Sequence, residues 1–90
     1  MQGKRVEPEF YEGGSFKRLN PGEYALIKGV WYAETPNGEC ANLANHSVIE
    51  HEDGTITVSP SIRVSIQYTA DRPEKELWHG FLERGVWHSC

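Results

Sequence analysis

The sequence has no apolar run long enough to span a bilayer, and no apolar segment follows the polar residues 1–9 as a secretion signal would require. It also has no basic stripe, because its nine Lys and Arg residues are scattered and its net charge is −4. Binding to nucleic-acid backbones normally needs clustered positive charge. The sequence therefore predicts neither a nucleic-acid partner nor a membrane partner, and it predicts a cytoplasmic location.

Cysteine is scarce as well, with only Cys40 and Cys90 in 90 residues. In a cytoplasmic protein free thiols are the expected state of both. Structural zinc sites usually show closely spaced ligand pairs such as C-x2-C or H-x3-H, and neither occurs here. The thiols and imidazoles could furnish four ligands, for instance Cys40, His46, His79 and Cys90, but they are scattered, and the two in one segment cannot close a tetrahedral site. The sequence predicts no metal and no cofactor.

Helical periodicity is missing too, since no segment of helical length shows an apolar stripe every 3.6 residues. Period-two alternation, typical of strands, is present instead. After Pro60 it places Ile62, Val64, Ile66 and Tyr68 on one face and Arg63, Ser65 and Gln67 on the other. The predicted class is all-β, a small antiparallel sandwich or partly open barrel, with room for one short helix in residues 40–46.

Ninety residues suffice for one domain, 1–90, with a modest core, and residues 1–9 are expected to be flexible. Residues 23–34 predict one long strand, or two strands divided at Gly29. The turn signal Glu83-Arg84-Gly85 predicts a terminal hairpin. Four aromatic residues in predicted strands are expected in the core rather than on a binding surface: Trp31, Tyr32, Trp78 and Trp87.

Two short segments carry candidate chemistry, Ser59-Pro60-Ser61 and His79-Gly80. Proline removes a ladder donor, so residues 59–61 are predicted to form a strand edge, bulge or kink. Glycine beside His79 permits a close approach of the backbone. Ser61 and His79 could form a nucleophile and its base, or two architectural polar groups on a sheet. Glu50, Asp53 and Glu76 are each available to orient the imidazole, and the sequence leaves that choice open.

Residues 57–62, Thr-Val-Ser-Pro-Ser-Ile, and residues 78–87, Trp-His-Gly-Phe-Leu-Glu-Arg-Gly-Val-Trp, resemble a family of small bacterial and phage domains of unknown function. The family shares an S-P-S-[IL] segment followed by a histidine, an aromatic residue and a glycine hairpin. Some members, encoded beside ubiquitin-like conjugation genes, are regarded as peptidases of the ubiquitin-like protein. The resemblance singles out Ser61 and His79, and less strongly Ser59. Trp78 stands where relatives often have cysteine.

The expected function is a small serine-type peptidase or hydrolase that acts on a protein tail, with Ser61 as nucleophile and His79 as general base. The side-chain amides of Asn42 and Asn45 are candidate oxyanion donors, and His46 and Glu50 are further candidate supporting residues. The alternative is a non-catalytic phage accessory or anti-defence protein, which would bind a host protein through a sheet edge or an aromatic patch. Either function would be exerted in the cytoplasm of the host if the protein is phage-encoded.

Overall fold

The computed structural model describes all 90 residues and contains eight β-strands and no α-helix. The first four strands form one sheet, here called the N-terminal sheet, and the last four form the C-terminal sheet, each in chain order. The bounds are β1 Lys4–Arg5, β2 Glu23–Ile27, β3 Val30–Glu34, β4 Cys40–Asn42, β5 Ser47–Glu50, β6 Ile56–Ile66, β7 Lys75–Glu83 and β8 Val86–Ser89.

The fold is all-β and sandwich-like, with two sheets and no closed barrel, so the predicted fold class is confirmed. Residues 40–46 do not form the short helix that was allowed for them. Residues 40–42 are strand β4, which pairs with β3, and a turn follows at Ala44 and Asn45. The structure contains no helix that is long and apolar enough to cross a membrane.

Most strand pairs are hairpins, and their turns fall where the sequence predicts them. Residues 23–34 form two strands divided at Lys28 and Gly29, which have φ angles of 51° and 83°. A two-residue turn of this hand suits the twist of the flanking strands. β7 and β8 are joined in the same way at Arg84 and Gly85. The parallel pairing of β1 with β2 is the exception to an otherwise antiparallel arrangement.

The main core lies between the two sheets. Alternate side chains of each inner face are buried there, as the period-two pattern requires. Trp78 and Trp87 are buried, as predicted, whereas Trp31 and Tyr32 are half-buried. The ten core residues are Tyr24, Ala33, Ala41 and Leu43 of the N-terminal half and Ile56, Val58, Ile62, Trp78, Leu82 and Trp87 of the C-terminal half.

The outer faces of the two sheets differ. The outer face of the N-terminal sheet is covered by the segment before β2, because Leu19 packs with Ala25 and Ile27 in a second buried cluster. The outer face of the C-terminal sheet has no such cover and exposes the apolar side chains of Ile49 and Phe81. Polar and apolar side chains on that second face are therefore accessible from solvent.

The N-terminal segment lies against both sheets. The amino group of Met1 donates to Trp87 O and Trp87 N–H donates back to Met1 O, at 3.2 and 2.8 Å. Gly3 N–H donates to Gly85 O at 2.7 Å, and Lys4 and Arg5 then pair with β2. Residues 1–3 thus contact the C-terminal sheet, and residues 4 and 5 pair with the N-terminal sheet. The flexibility expected of residues 1–9 stays a prediction.

We expect Trp87→Phe to lower the free energy of unfolding by about 1–3 kcal/mol. The buried indole N–H donates to Gly22 O at 3.0 Å, and phenylalanine would remove this bond together with part of the buried ring. Gly22 O would keep only its longer bond from Lys4 N–H, at 3.2 Å. Chemical denaturation measures the change. Trp31→Phe is the control, because the half-buried Trp31 indole donates no hydrogen bond. Equal losses in the two variants would contradict a special role for the indole N–H.

Candidate active site

Ser61 and His79 reach the same outer face through two features of the C-terminal sheet. The register of β6 on β7 passes from Val58 opposite Leu82 directly to Ile62 opposite Gly80, so residues 59–61 form a bulge that faces Phe81. The Ser59–Pro60 peptide bond within it is cis. A bulge re-aims the side chains next to it. The predicted irregularity at residues 59–61 is therefore present, although β6 continues beyond it to Ile66.

The strand register makes Ser61 and His79 diagonal neighbours. His79 lies directly opposite Arg63, two residues after Ser61, and strand alternation turns all three side chains outward. Ser61 Oγ lies 2.8 Å from His79 Nε2, which is hydrogen-bonding distance. When the proton of the neutral imidazole is on Nδ1, the Ser61 hydroxyl donates to Nε2. The hydroxyl is then oriented for transfer of its proton to the imidazole.

Glu76 is the carboxylate that the fold brings to His79. Its Oε2 lies 3.8 Å from His79 Nδ1, the ring nitrogen on the side away from Ser61. The other two candidates have different partners. Glu50 Oε2 accepts from Arg5 Nη1 at 2.6 Å. Asp53 accepts from the N–H and hydroxyl of its turn neighbour Thr55, and these bonds lower the pKa of Asp53.

Arg63 links Glu76 to a second carboxylate. Arg63 Nε donates to Glu76 Oε2 at 2.9 Å, and Nη1 donates to Glu74 Oε1 at 3.3 Å. The hydrogen bond to Glu76, followed by the charge of Glu74, raises the pKa of Arg63 above its ordinary value. Ser65 Oγ also donates to Glu74. The Arg63 bond falls on Oε2, the same oxygen of Glu76 that lies nearest His79 Nδ1, and it partly neutralises the charge of Glu76.

The site is open to solvent. The side chains of His79 and Glu76 are 33% and 46% exposed. A long substrate can therefore approach along the sheet without any movement of the protein. Water is not excluded either, so electrostatic interactions within the site are weaker than they would be in a closed pocket.

Gly80 fixes the backbone next to His79. A Cβ atom at this position would lie 2.2 Å from His88 O and 2.4 Å from the ring of Trp78. Neither distance is compatible with a side chain, so the predicted close approach at this glycine is confirmed. Trp78 and His79 point to opposite faces of β7, so the tryptophan packs over Gly80 on the inner face while the imidazole lies on the outer face.

His46 supports the backbone of the bulge from the turn before β5. Its Nε2 lies 3.2 Å from Ser61 O, so the proton of the ring must be on Nε2 for this bond to form. Nδ1 is buried and has no hydrogen-bond partner. Of the candidate supporting residues, His46 is the one that contacts Ser61 by a hydrogen bond.

The other candidate supporting residues do not join the pair. Ser59 is exposed and lies opposite Ser47 of β5. Asn42 donates to Tyr32 Oη at 3.4 Å and accepts from the N–H of Ala44. Asn45 is exposed in the turn that follows β4, and Glu50 is bound to Arg5. The two asparagines are not hydrogen-bonded to Ser61 or His79, so the structure does not assemble the oxyanion site expected of them.

Metal ligands are not clustered. No three His, Cys, Asp or Glu side chains are placed to hold an ion together. Cys40 and Cys90 are both free thiols at the surface. Partial desolvation, and then the charge of Glu34, raises the pKa of the Cys40 thiol, which disfavours the thiolate that zinc binding requires.

A second hydroxyl–imidazole pair, not predicted from the sequence, lies farther along the same face. His51 Nε2 is 2.7 Å from Thr57 Oγ1, which also accepts from the N–H of Arg84 at 3.0 Å. Thr57 and His51 flank the turn between β5 and β6, and the antiparallel pairing of these two strands brings the side chains together. Both residues line an open depression of about 520 Å³.

No protein-family model, no curated protein and no solved structure matches this chain. The geometry of Ser61, His79 and Glu76 therefore carries the functional inference.

We expect His46→Ala to lower the free energy of unfolding by about 1 kcal/mol, because Ser61 O loses its donor. In a domain of this size that corresponds to a fall of about 4–8 °C in Tm, measurable by thermal denaturation. His88→Ala is the control, since His88 is exposed and its imidazole has no hydrogen bond. A Tm for His46→Ala equal to that of the control would show that this bond does not support the bulge.

Proposed function

We propose that the protein is a serine-type acyl hydrolase, a peptidase acting on a protein tail, in which Ser61 is the nucleophile and His79 the general base. The observation that carries the proposal is the 2.8 Å separation between Ser61 Oγ and His79 Nε2. A serine hydroxyl is a weak nucleophile, and an imidazole within hydrogen-bonding reach activates it by accepting its proton.

The reaction proceeds in two stages. Ser61 Oγ attacks the scissile carbonyl carbon while its proton passes to His79 Nε2. The C–N bond of the tetrahedral intermediate then breaks, and the proton on Nε2 goes to the leaving amine, which gives an ester on Ser61. In the second stage water gives a proton to Nε2 and attacks the ester carbonyl, and the proton returns to Ser61 Oγ as the acid product leaves.

Glu76 acts on the imidazole through Nδ1. A carboxylate there favours the proton on Nδ1 and stabilises the imidazolium that forms during attack. The 3.8 Å distance and the exposure of Glu76 make this contribution modest. Within the bulge, Pro60 has no N–H and Ser59 pairs with Ser47 of β5, so the candidate backbone donor for the oxyanion is Ser61, which has no register partner on β7. In this proposal the N–H of Ser61 takes that role instead of Asn42 or Asn45.

An open sheet face suits an extended, flexible substrate better than a small molecule that needs a deep pocket. This agrees with a protein tail as substrate, such as the tail of a ubiquitin-like protein, which the family resemblance implies. The proposed site of action is the cytoplasm, and it is the host cytoplasm if the gene belongs to a phage.

The free edge of β5 favours a second candidate function. β5 pairs with β6 alone, and its residue Ile49 is 58% exposed. An edge strand of this kind can accept an added strand from another protein. A non-catalytic phage accessory or anti-defence protein that binds a host protein at β5 would use this edge and would not need Ser61.

The peptidase proposal predicts that a fluorophosphonate probe labels the protein at Ser61. Ser61→Ala and His79→Ala should reduce the rate of labelling by about 10³-fold, because the nucleophile or its base is gone. Intact-protein mass spectrometry measures the covalent adduct. Ser65→Ala, on the same strand, is the control and should be labelled like the wild type.

Stability separates this proposal from an architectural role for the pair. His79 is partly exposed, so water can replace its contacts, and Tm should stay within a few degrees of the wild-type value in both variants. A large fall in Tm for His79→Ala, together with unchanged labelling of Ser61→Ala, would contradict catalysis and favour the architectural alternative.

The role of Glu76 gives a separate prediction. Glu76→Gln should slow probe labelling about two- to fivefold, the range that corresponds to loss of an exposed ion pair worth about 0.5–1 kcal/mol. Glu74→Gln is the control, because Glu74 also binds Arg63 but does not face His79. Equal effects of the two substitutions would assign the loss to Arg63 and not to orientation of the imidazole.

A further inference from the structure

The outer face of the C-terminal sheet carries an open depression next to the proposed active site. Its volume is about 520 Å³. Ile49 of β5 and Val86 of β8 are its two apolar lining residues, and the other five are polar or charged: His51, Thr57, Glu83, Arg84 and His88. Ile49 is 58% exposed, an unusual state for an isoleucine on a strand. The apolar residues Ile49 and Val86 take no part in the chemistry proposed for Ser61.

Phe81 connects the depression to Ser61. It is 39% exposed, it lies opposite the bulge of residues 59–61 on one side, and it pairs with His88 on the other. Two residues farther along β7, Glu83 lies at the wall of the depression. Strand residues rise by about 3.3 Å each, so the part of the depression that is lined by Glu83 and Val86 lies about 7 Å from the level of Phe81 and the bulge.

The position of His79 determines which part of a substrate would reach the depression. His79 lies at the level of Arg63, on the side of Ser61 away from Thr57 and Glu83. The amine that leaves must take its proton from His79 Nε2, so it lies on the His79 side. The acyl part of the substrate then extends in the opposite direction, over Phe81 and toward the depression.

We propose that this depression is a specificity subsite for a bulky apolar side chain of the substrate. An extended peptide rises about 3.3 Å per residue, so the side chain that reaches it is two residues before the residue whose carbonyl is attacked. Side chains two apart in an extended chain point to the same side, which directs both residues to the enzyme surface. The substrate class is thus a peptide tail with Leu, Ile, Met or Phe at that third position. This inference rests on the proposed function.

The test uses two peptides and an ester. Acetyl-Leu-Ala-Ala-aminomethylcoumarin and acetyl-Ala-Ala-Ala-aminomethylcoumarin differ only at the proposed position, and p-nitrophenyl acetate is too short to reach the depression. We expect kcat/KM to favour the leucine peptide about tenfold in the wild type. Ile49→Ser should reduce this preference to about twofold or less and leave ester hydrolysis unchanged.

Ile66→Ser is the control variant, because Ile66 is 36% exposed on the same sheet but lies opposite Lys75, at the far end from the depression. It should keep the preference for leucine. If Ser61-dependent ester hydrolysis is present but the leucine preference is missing, or survives Ile49→Ser, the subsite inference is overturned and the hydrolase proposal stands. If ester hydrolysis is missing, or persists in Ser61→Ala, the hydrolase proposal itself fails, and the subsite with it.

Discussion

The burial of Trp87 between the two sheets is the interaction on which the rest of this structure depends. Its indole N–H donates across the sandwich to Gly22 O, and the edge of its ring packs against Trp78, with centroids 5.3 Å apart. Its backbone is bound in both directions by Met1. One residue therefore joins the two sheets and the N-terminal segment. A 90-residue chain has little core with which to replace such a junction.

The outer faces of the two sheets, which the Trp87 junction does not bury, are covered to different extents. The chain before β2 packs over the N-terminal sheet and buries Ala25 and Ile27 on its outer side. Among these 90 residues, no segment packs over the outer face of the C-terminal sheet, where Ile49 and Phe81 are exposed. Alternation on β6 and β7 places core residues on the inner side, so the outward positions are free to carry polar side chains such as Ser61 and His79. The proposed active site thus occupies the sheet face that the packing leaves open.

The sequence was a good guide to periodicity and a poor guide to register. Alternation correctly placed Ile62 and Arg63 on opposite faces of β6, because it depends only on the pleat of one strand. It was wrong for Tyr68, which was assigned to the face of Ile62 but lies beyond the end of β6 and is 70% exposed. The alignment of Ser61 with His79 depends on how many residues the bulge inserts, which is settled by pairing between strands. The choice of Glu76 could not be predicted either. Glu76 and His79 are three residues apart on β7, where regular alternation would turn them to opposite faces, and the register irregularity that skips Leu77 lies between them.

Two departures from regular sheet structure meet at the Ser61–His79 pair. The bulge interrupts the ladder between β6 and β7, and Gly80 places a residue of low strand propensity in the middle of β7. Both features cost stability, whereas a partly exposed hydroxyl–imidazole bond returns only about 0.5–1.5 kcal/mol. Local rules of sheet construction are most often broken at functional sites. Here the bulge brings the Ser61 hydroxyl to the His79 imidazole, which supports the proposed chemistry, whereas Gly80 makes room for Trp78 and His88 O on the strand that carries His79.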